Sequence, residues 1–300
     1  MPANTRLIKS RMKSVKNTRK ITKAMELVAA SKMRRAVAAV LGTRPYASLA
    51  FEMISSIGKR VDTSMHPLLR EPEEVKSILL VLYSSDRGLA GGFNVNMIRK
   101  TYRTLEALGN EVHVDVICVG KKGIQAMRKI GKTITASFTD LSHQSKFEEI
   151  LPLGKLIISE FSARKYDQVL IAYTDFISAI TQTPKIIPLL PIGKKELVGE
   201  FRGEHEEMKT KKEEEREYTF EPDPLTVLNS ILPRLVETML YQALLESSAS
   251  EHSARMMAMR SASDAASDMI DDLTFTFNQA RQAGITQEIA EISAGKAALE

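Results

Sequence analysis

Residues 234–283 run for 50 positions without a glycine or a proline, and just before them apolar residues recur three and four apart at Leu225, Leu228, Leu232, Leu235 and Met239. That spacing predicts one helix over residues 222–299. At roughly 1.5 Å per residue it would measure about 110 Å, whereas a compact domain of about 130 residues has a radius of gyration near 14 Å. Such a helix must reach past any domain attached to it. A helix this long also needs something to pack its stripe against, because most helical stability in proteins comes from that packing. The start of the chain offers a partner: residues 3–41 again lack glycine and proline, with apolar positions at Ile8, Met12, Val15, Ile21, Met25, Val28, Met33, Val37 and Val40. The two chain ends are therefore expected to form an antiparallel coiled coil, with the middle of the chain inserted between them as a separate domain.

Charge separates the first helix from the rest. The net charge is +5, but residues 1–60 hold 14 Lys and Arg against Glu26 and Glu52, a balance of +12, and the other 240 residues balance at −7. Lys9 and Lys13, Lys16 and Lys20, and Arg19 and Lys23 sit four apart on one face, where like charges repel. This pattern fits either an acidic partner or a solvated face. Nucleic acid is a third reading for clustered Lys and Arg; against it, residues 1–45 contain no aromatic side chain before Pro45 for base stacking. The apolar runs are strand-sized, far below the ~20 residues a transmembrane helix needs. The Arg-rich opening lacks an apolar signal core, so a cleaved targeting segment is not expected. The lone Cys118 rules out an intrachain disulfide and a multi-cysteine metal site, and reads as a buried strand residue in a reducing compartment. The five histidines show no ligand-like spacing.

Between the helices the period changes. The first helix is expected to continue through a kink near Pro45 and to end at Gly58. Residues 66–72 read as loop. Strands are predicted at residues 77–83, 111–119, 132–138, 168–176 and 186–190, and helices at 93–108, 121–130 and 147–165. This alternation describes an inserted, Rossmann-like α/β domain with a largely parallel sheet. The predicted organisation is a helix over 1–60, a linker over 61–74, the α/β domain over 75–192, a charged connector over 193–221 that extends the last helix beyond Glu213, and the closing helix over 222–300.

One turn invites an enzymatic reading. Residues 84–92, SSDRGLAGG, stand between the first strand and its helix, where glycines can present backbone N–H groups to phosphate. Gly88, Gly91 and Gly92 do not match the G-x-G-x-x-G spacing, and no G-K-[S/T] follows. A structural glycine turn is the favoured reading, with Asp86 and Arg87 able to pair and order it. In the last helix, Ala and Ser fill 14 of the 26 positions from 243 to 268, and Met256, Met257 and Met259 cluster at their centre. Small side chains leave a slender helix that a partner can approach closely, and Met repacks against changing neighbours.

Several stretches resemble the gamma subunit family of F-type ATP synthase. They are residues 17–33, NTRKITKAMELVAASKM; residues 280–292, ARQAGITQEIAEI; residues 85–94, SDRGLAGGFN; and residues 244–247 and 250–256, LLES and SEHSARM. The resemblance covers essentially the whole chain. It implies a non-catalytic rotor that transmits torque between a proton-driven ring of c subunits and the ring of alpha and beta subunits. The terminal helices would form the shaft, and the α/β domain a foot beside the epsilon subunit and the c ring. No cofactor, metal or nucleic acid is implied, and membrane association would be indirect, through the c ring. By the same resemblance Lys20, Lys23 and Met25 meet an acidic beta-subunit loop, and Arg255, Arg281, Gln282 and Thr286 contact the upper ring. Tyr218 and Glu221 would face the c ring, with Phe220 where the family often has tyrosine. Ala90 replaces a cysteine common in the family's loop, Gly284 loosens the closing helix, and a single cysteine excludes the dithiol switch of the plastid form. The expected location is the cytoplasmic face of a bacterial inner membrane.

Overall fold

The computed structural model describes residues 3–58, 66–109, 111–141, 146–192, 221 and 223–297. The predicted helical extension beyond Glu213 and Tyr218 lie outside the described residues. The chain divides into two compact units, one made of Met1–Ala30 with Arg255–Glu300 and the other of Ser31–Ala254. Helix α1 (Ala3–Gly58) and the final helix, α5 (Pro224–Ala297), each contribute to both.

In the larger unit the apolar runs become strands β1 (Ser77–Tyr83), β2 (His113–Val119), β3 (Ile134–Phe138), β4 (Gln168–Phe176) and β5 (Gln182–Leu190). They form one sheet in the order β3-β2-β1-β4-β5. The first four strands are parallel, and β5 is antiparallel to β4. Helices α2 (Phe93–Ala107), α3 (Lys121–Lys129) and α4 (Phe147–Ser162) connect the parallel strands. Along β1, Leu79, Val81 and Tyr83 join a core with Ile157 of α4 and Leu240 of α5. The intervening Ile78, Leu80 and Leu82 join another with Met97 of α2 and Met127 of α3. Both faces of the sheet are thus covered, which is why β1 reads as a continuous apolar run rather than an alternation.

Two details differ from the sequence expectation. Strand β5 starts at Gln182 rather than residue 186, because it leaves β4 through a tight turn in which the Ser178 N–H donates to the Thr181 carbonyl at 3.0 Å. Its outer half is polar and carries Pro184, opposite Thr174, with Pro188 opposite Leu170. The Lys100 ammonium donates to the Pro184 carbonyl at 2.8 Å. Residues 66–72 are not plain loop: Pro67–Leu69 form a 3-10 turn, capped by His66, that drives Leu68 into the core. Cys118 is buried in β2 as expected, and burial pushes its thiol up to about 12.

Glycine lets α4 pack closely on α5 in this unit. A Cβ on Gly154 of α4 would lie 2.9 Å from Glu237 Cγ of α5. Residues 36–40 of α1 pack against Leu245 and Ala249 of α5, and Thr43 Oγ1 donates to Gln242 Oε1.

In the smaller unit α1 and α5 run antiparallel. The hydroxyls of Thr22 and Ser263 are 2.7 Å apart and buried, and Arg19 reaches the Ser267 hydroxyl one turn on. The buried or half-buried positions of α1 recur as Thr5, Ile8, Met12, Val15, Thr22 and Ala29, those of α5 as Met259, Ser263, Ala266, Ile270 and Leu273. The steps are of three and four along α5 and of three, four or seven along α1, the seam of a coiled coil. Ile21 and Val28, expected on the packed face, are instead 60% and 57% exposed. The seam passes one residue further, through small Thr22 and Ala29, whose size lets the helices approach.

Candidate functional site

In a doubly wound sheet, ligands bind outside the carboxyl ends of the strands where the strand order reverses. Here that place lies between β1 and β4. The turn over residues 84–92 is there, as predicted, with Leu89 and Gly91 at positive φ, but its polar groups are spent on its own chain. The Ser85 N–H donates to Asn94 Oδ1 at 3.1 Å and the Ser85 hydroxyl to the Arg87 carbonyl. Asp86 does not serve the turn alone: one carboxylate oxygen accepts from the Lys121 N–H at 3.1 Å and the other from the Asp140 N–H at 2.9 Å. At the start of α3 the Gly123 N–H donates to the Ser84 hydroxyl at 2.8 Å and the Lys122 N–H to the Ser85 carbonyl. The N–H groups of Ser85 and of the start of α3 are therefore occupied. Gly120 has φ +97°, and a Cβ there would lie 2.1 Å from the Ser84 carbonyl oxygen, so β1 and the start of α3 touch backbone to backbone.

The crevice itself is filled by α5. Leu244, Ser247, Ser248 and Glu251 face Tyr83, Asp86 and Phe93 across a residual cavity of ≈ 10 Å³, no more than a single water needs. The Tyr83 hydroxyl donates to the Leu240 carbonyl of α5 at 2.9 Å, and burial pushes that phenol far above its ordinary range.

The residues singled out by resemblance fall mainly on the smaller unit. Lys20 and Lys23 are exposed on α1, as are Lys9, Lys13 and Lys16, so the basic face is open to a partner; Met25 is half-buried. Lys23 is paired with Glu26 at 2.9 Å. Arg281, Gln282 and Thr286 are exposed on α5, Arg255 is half-buried, and Glu221 is exposed just before α5 in the larger unit. Within the smaller unit they do not gather at one place. Thr22 marks the level of Ser263, and at 1.5 Å per residue Gln282 lies about 28 Å along α5 from it, with Arg255 about 12 Å the other way. Near Gln282 a groove of ≈ 530 Å³ opens between the helices, lined by Leu7, Ile8, Arg11, Leu273, Ala280 and Ala283.

Sequence reading missed two features. Ile285, Ile289 and Ile292 form an exposed stripe beyond that groove; their spacing of four and three is visible in the sequence but does not say which helix end is uncovered. The other is the set of serines by which α5 grips the sheet.

Residues 4–299 match the family model described as ATP synthase. The ATP synthase gamma chain of Chloroflexus aurantiacus is 44% identical over 304 residues, covering 100% of this chain and 99% of the relative. That of Stenotrophomonas maltophilia is 39% identical over 99% of this chain and 100% of the relative. Among solved structures, a chain of the central stalk and c ring of Tetrahymena thermophila mitochondrial ATP synthase superposes with a TM-score of 0.59 at 28% identity, covering 81% of this chain and 99% of that one. A chain of the rotor of Euglena gracilis mitochondrial ATP synthase shares the fold, with a TM-score of 0.62 at 18% identity over 95% of this chain and 100% of its own length. Along its whole length this chain is a member of the ATP synthase gamma chain family.

Proposed function

We propose that this chain is the central-stalk rotor of a bacterial ATP synthase, carrying torque between a c ring and the alpha and beta subunits while making and breaking no bond itself. The observation that carries the reading is the antiparallel pairing of the two chain ends, through the Thr22–Ser263 contact, in a full-length gamma-chain relative. The closed crevice supports the non-catalytic part, since the place where this fold takes a nucleotide is filled by α5.

The mechanism follows from asymmetry. A rotor changes nucleotide affinity in its neighbours only if its surface contacts their open and closed forms differently. The first helix presents a run of exposed cations, whereas α5 sets Arg260 and Arg281 among exposed Asp264, Asp268, Asp271 and Asp272, so the pair offers each neighbour a different face as it turns. In this reading residues 1–60 and 222–300 serve as shaft, 75–192 as foot, and 61–74 and 193–221 as connectors. Lys20, Lys23 and Met25 meet an acidic beta-subunit loop; Arg255, Arg281, Gln282 and Thr286 meet the upper ring; Tyr218 and Glu221 face the c ring, with the epsilon subunit beside the foot. The complex is membrane-associated, and the chain works at its cytoplasmic face without a membrane span of its own: among the described residues, no helix is long and apolar enough to cross a bilayer.

The test is reconstitution with alpha, beta, epsilon and c subunits in sealed vesicles. ATP-driven rotation of a probe on the foot, with no ATP turnover by the isolated chain, is the expected result; turnover by the chain alone overturns it. Met25→Lys should lower proton pumping per ATP hydrolysed without comparable loss of assembly, and unchanged pumping would refute the placement of Met25.

A further inference from the structure

Strand β1 ends at Tyr83, and its pairing with β4 stops at Ala172. Beyond that point one side of β4 has no strand neighbour, yet Thr174 and Asp175 are buried, and buried main-chain N–H and C=O groups need partners. Helix α5 provides them. The Thr174 N–H donates to the Ser247 hydroxyl at 3.2 Å, and the Ser250 hydroxyl donates to the Thr174 carbonyl at 3.2 Å. One turn on, the Ser253 hydroxyl donates to the Ala179 carbonyl at 2.6 Å, just past the end of β4. The serines are three residues apart, so they lie along one helical flank, and Ser250 and Ser253 are both 0% exposed. Through their side chains the helix stands in for the missing strand.

From this geometry we infer that Ser247, Ser250 and Ser253 form the mechanical joint through which the α/β domain drives α5. The inference rests on the rotor reading and adds positioning residues to it. A torque applied to the foot must enter the shaft somewhere. A purely apolar contact would resist sliding weakly, because burial energy depends on area and not on direction, whereas hydrogen bonds lose strength steeply with misalignment. The joint is made to main-chain atoms of β4 and the following turn, so it depends on the serines and not on the strand's side chains. It also gives the Ser-x-x-Ser-x-x-Ser spacing of SSASEHS, residues 247–253, a role that a slender helix alone does not require, since alanine would be as small.

The experiment uses the complete complex in vesicles, carrying Ser247→Ala, Ser250→Ala and Ser253→Ala singly and together, with Ser250→Thr as the hydroxyl-retaining control. Hydrogen exchange at the Thr174 amide reports the joint, and the ratio of protons pumped to ATP hydrolysed reports coupling. Ser247→Ala removes the acceptor of the Thr174 N–H and should speed that exchange roughly fivefold, the factor for one net hydrogen bond. The triple variant should keep its ATPase rate and lose most of its pumping, with Ser250→Thr retaining both. If the triple variant fails to assemble, the same order must appear among the single variants. Unchanged Thr174 exchange, or faster exchange with full pumping, overturns the joint. A wild-type complex that hydrolyses ATP without pumping overturns the rotor reading and the joint with it, so the two failures are told apart.

Discussion

Helix α5 solves the same problem twice, in different ways. Over residues 235–253 all but Tyr241 are buried, enclosed by the sheet, α4 and α1, although the stretch includes Glu237, Gln242, Glu246, Glu251 and four serines. Over residues 259–273 only every third or fourth position is buried, against α1 alone. The first stretch is held by enclosure with its polar groups bonded: Gln242 to Glu246 at 2.8 Å, Ser247 and Ser250 to β4. The second is held by a narrow seam. One helix can therefore be a fixture at one end and a spindle with open sides at the other, and substitutions at the two ends should differ in both size and kind.

The largest effect is expected where the enclosing unit is tightest. Gly120→Ala places a Cβ against the Ser84 carbonyl at a left-handed φ, and should cost about 4 kcal/mol in a denaturant titration; a loss below that of an ordinary surface change would refute the close approach. Next, Leu240→Ala, fully buried in the first stretch, should cost about 3 kcal/mol. Ile289→Ala, 60% exposed, should stay within about 0.5 kcal/mol. Equal costs would erase the contrast between the two ends. In the seam, Thr22→Val leaves the Ser263 hydroxyl buried without its partner and should cost about 1–2 kcal/mol. A double-mutant cycle with Ser263→Ala should recover part of that loss, and simple additivity would mean the hydroxyls do not interact.

Helices and strands were legible because their burial is apolar: residues 77–83 read as strand, 93–108 as helix, and both formed within a residue or so. The seam was not. Periodicity counted Ile21 and Val28 as packed because they are hydrophobic, while the structure packs Thr22 and Ala29, whose small size is what a close helix crossing selects. The start of β5 was hidden by its polar and proline residues. The filling of the crevice could not be seen at all, since it joins the turn at residues 84–92 to serines some 160 positions away. Of the candidate site, the sequence placed the glycine turn correctly between β1 and α2. The ring-contact residues came only from resemblance, because a lysine on a solvated helix and a lysine awaiting a partner have the same sequence pattern.

The smallest effect concerns pH and sharpens the sheet side of the comparison. Burial alone would raise the Asp167 carboxyl, but hydrogen bonds from the Lys76 N–H and from the Ser77 hydroxyl and N–H outweigh it and hold the group below its usual 3.8. A carboxyl lowered in the folded state stabilises above its unfolded value and stops doing so as the pH falls through the folded one. Unfolding free energy should therefore drop below about pH 4, with a shallower acid limb in Asp167→Asn; identical limbs would show that the staple across β1 and β4 contributes nothing.

Strand β5 has one further consequence. Thr174 gives its main-chain groups to α5, so Pro184, which stands opposite it, turns its main chain outward, and Pro188, four residues along, does the same. The outer rim of the sheet therefore lacks amide hydrogens at two places, and Lys100 occupies a carbonyl at one of them. A neighbouring polypeptide finds no continuous ladder there to join. Copies of the chain made ahead of their companion subunits are thus guarded against stacking edge to edge into aggregates while assembly is still incomplete.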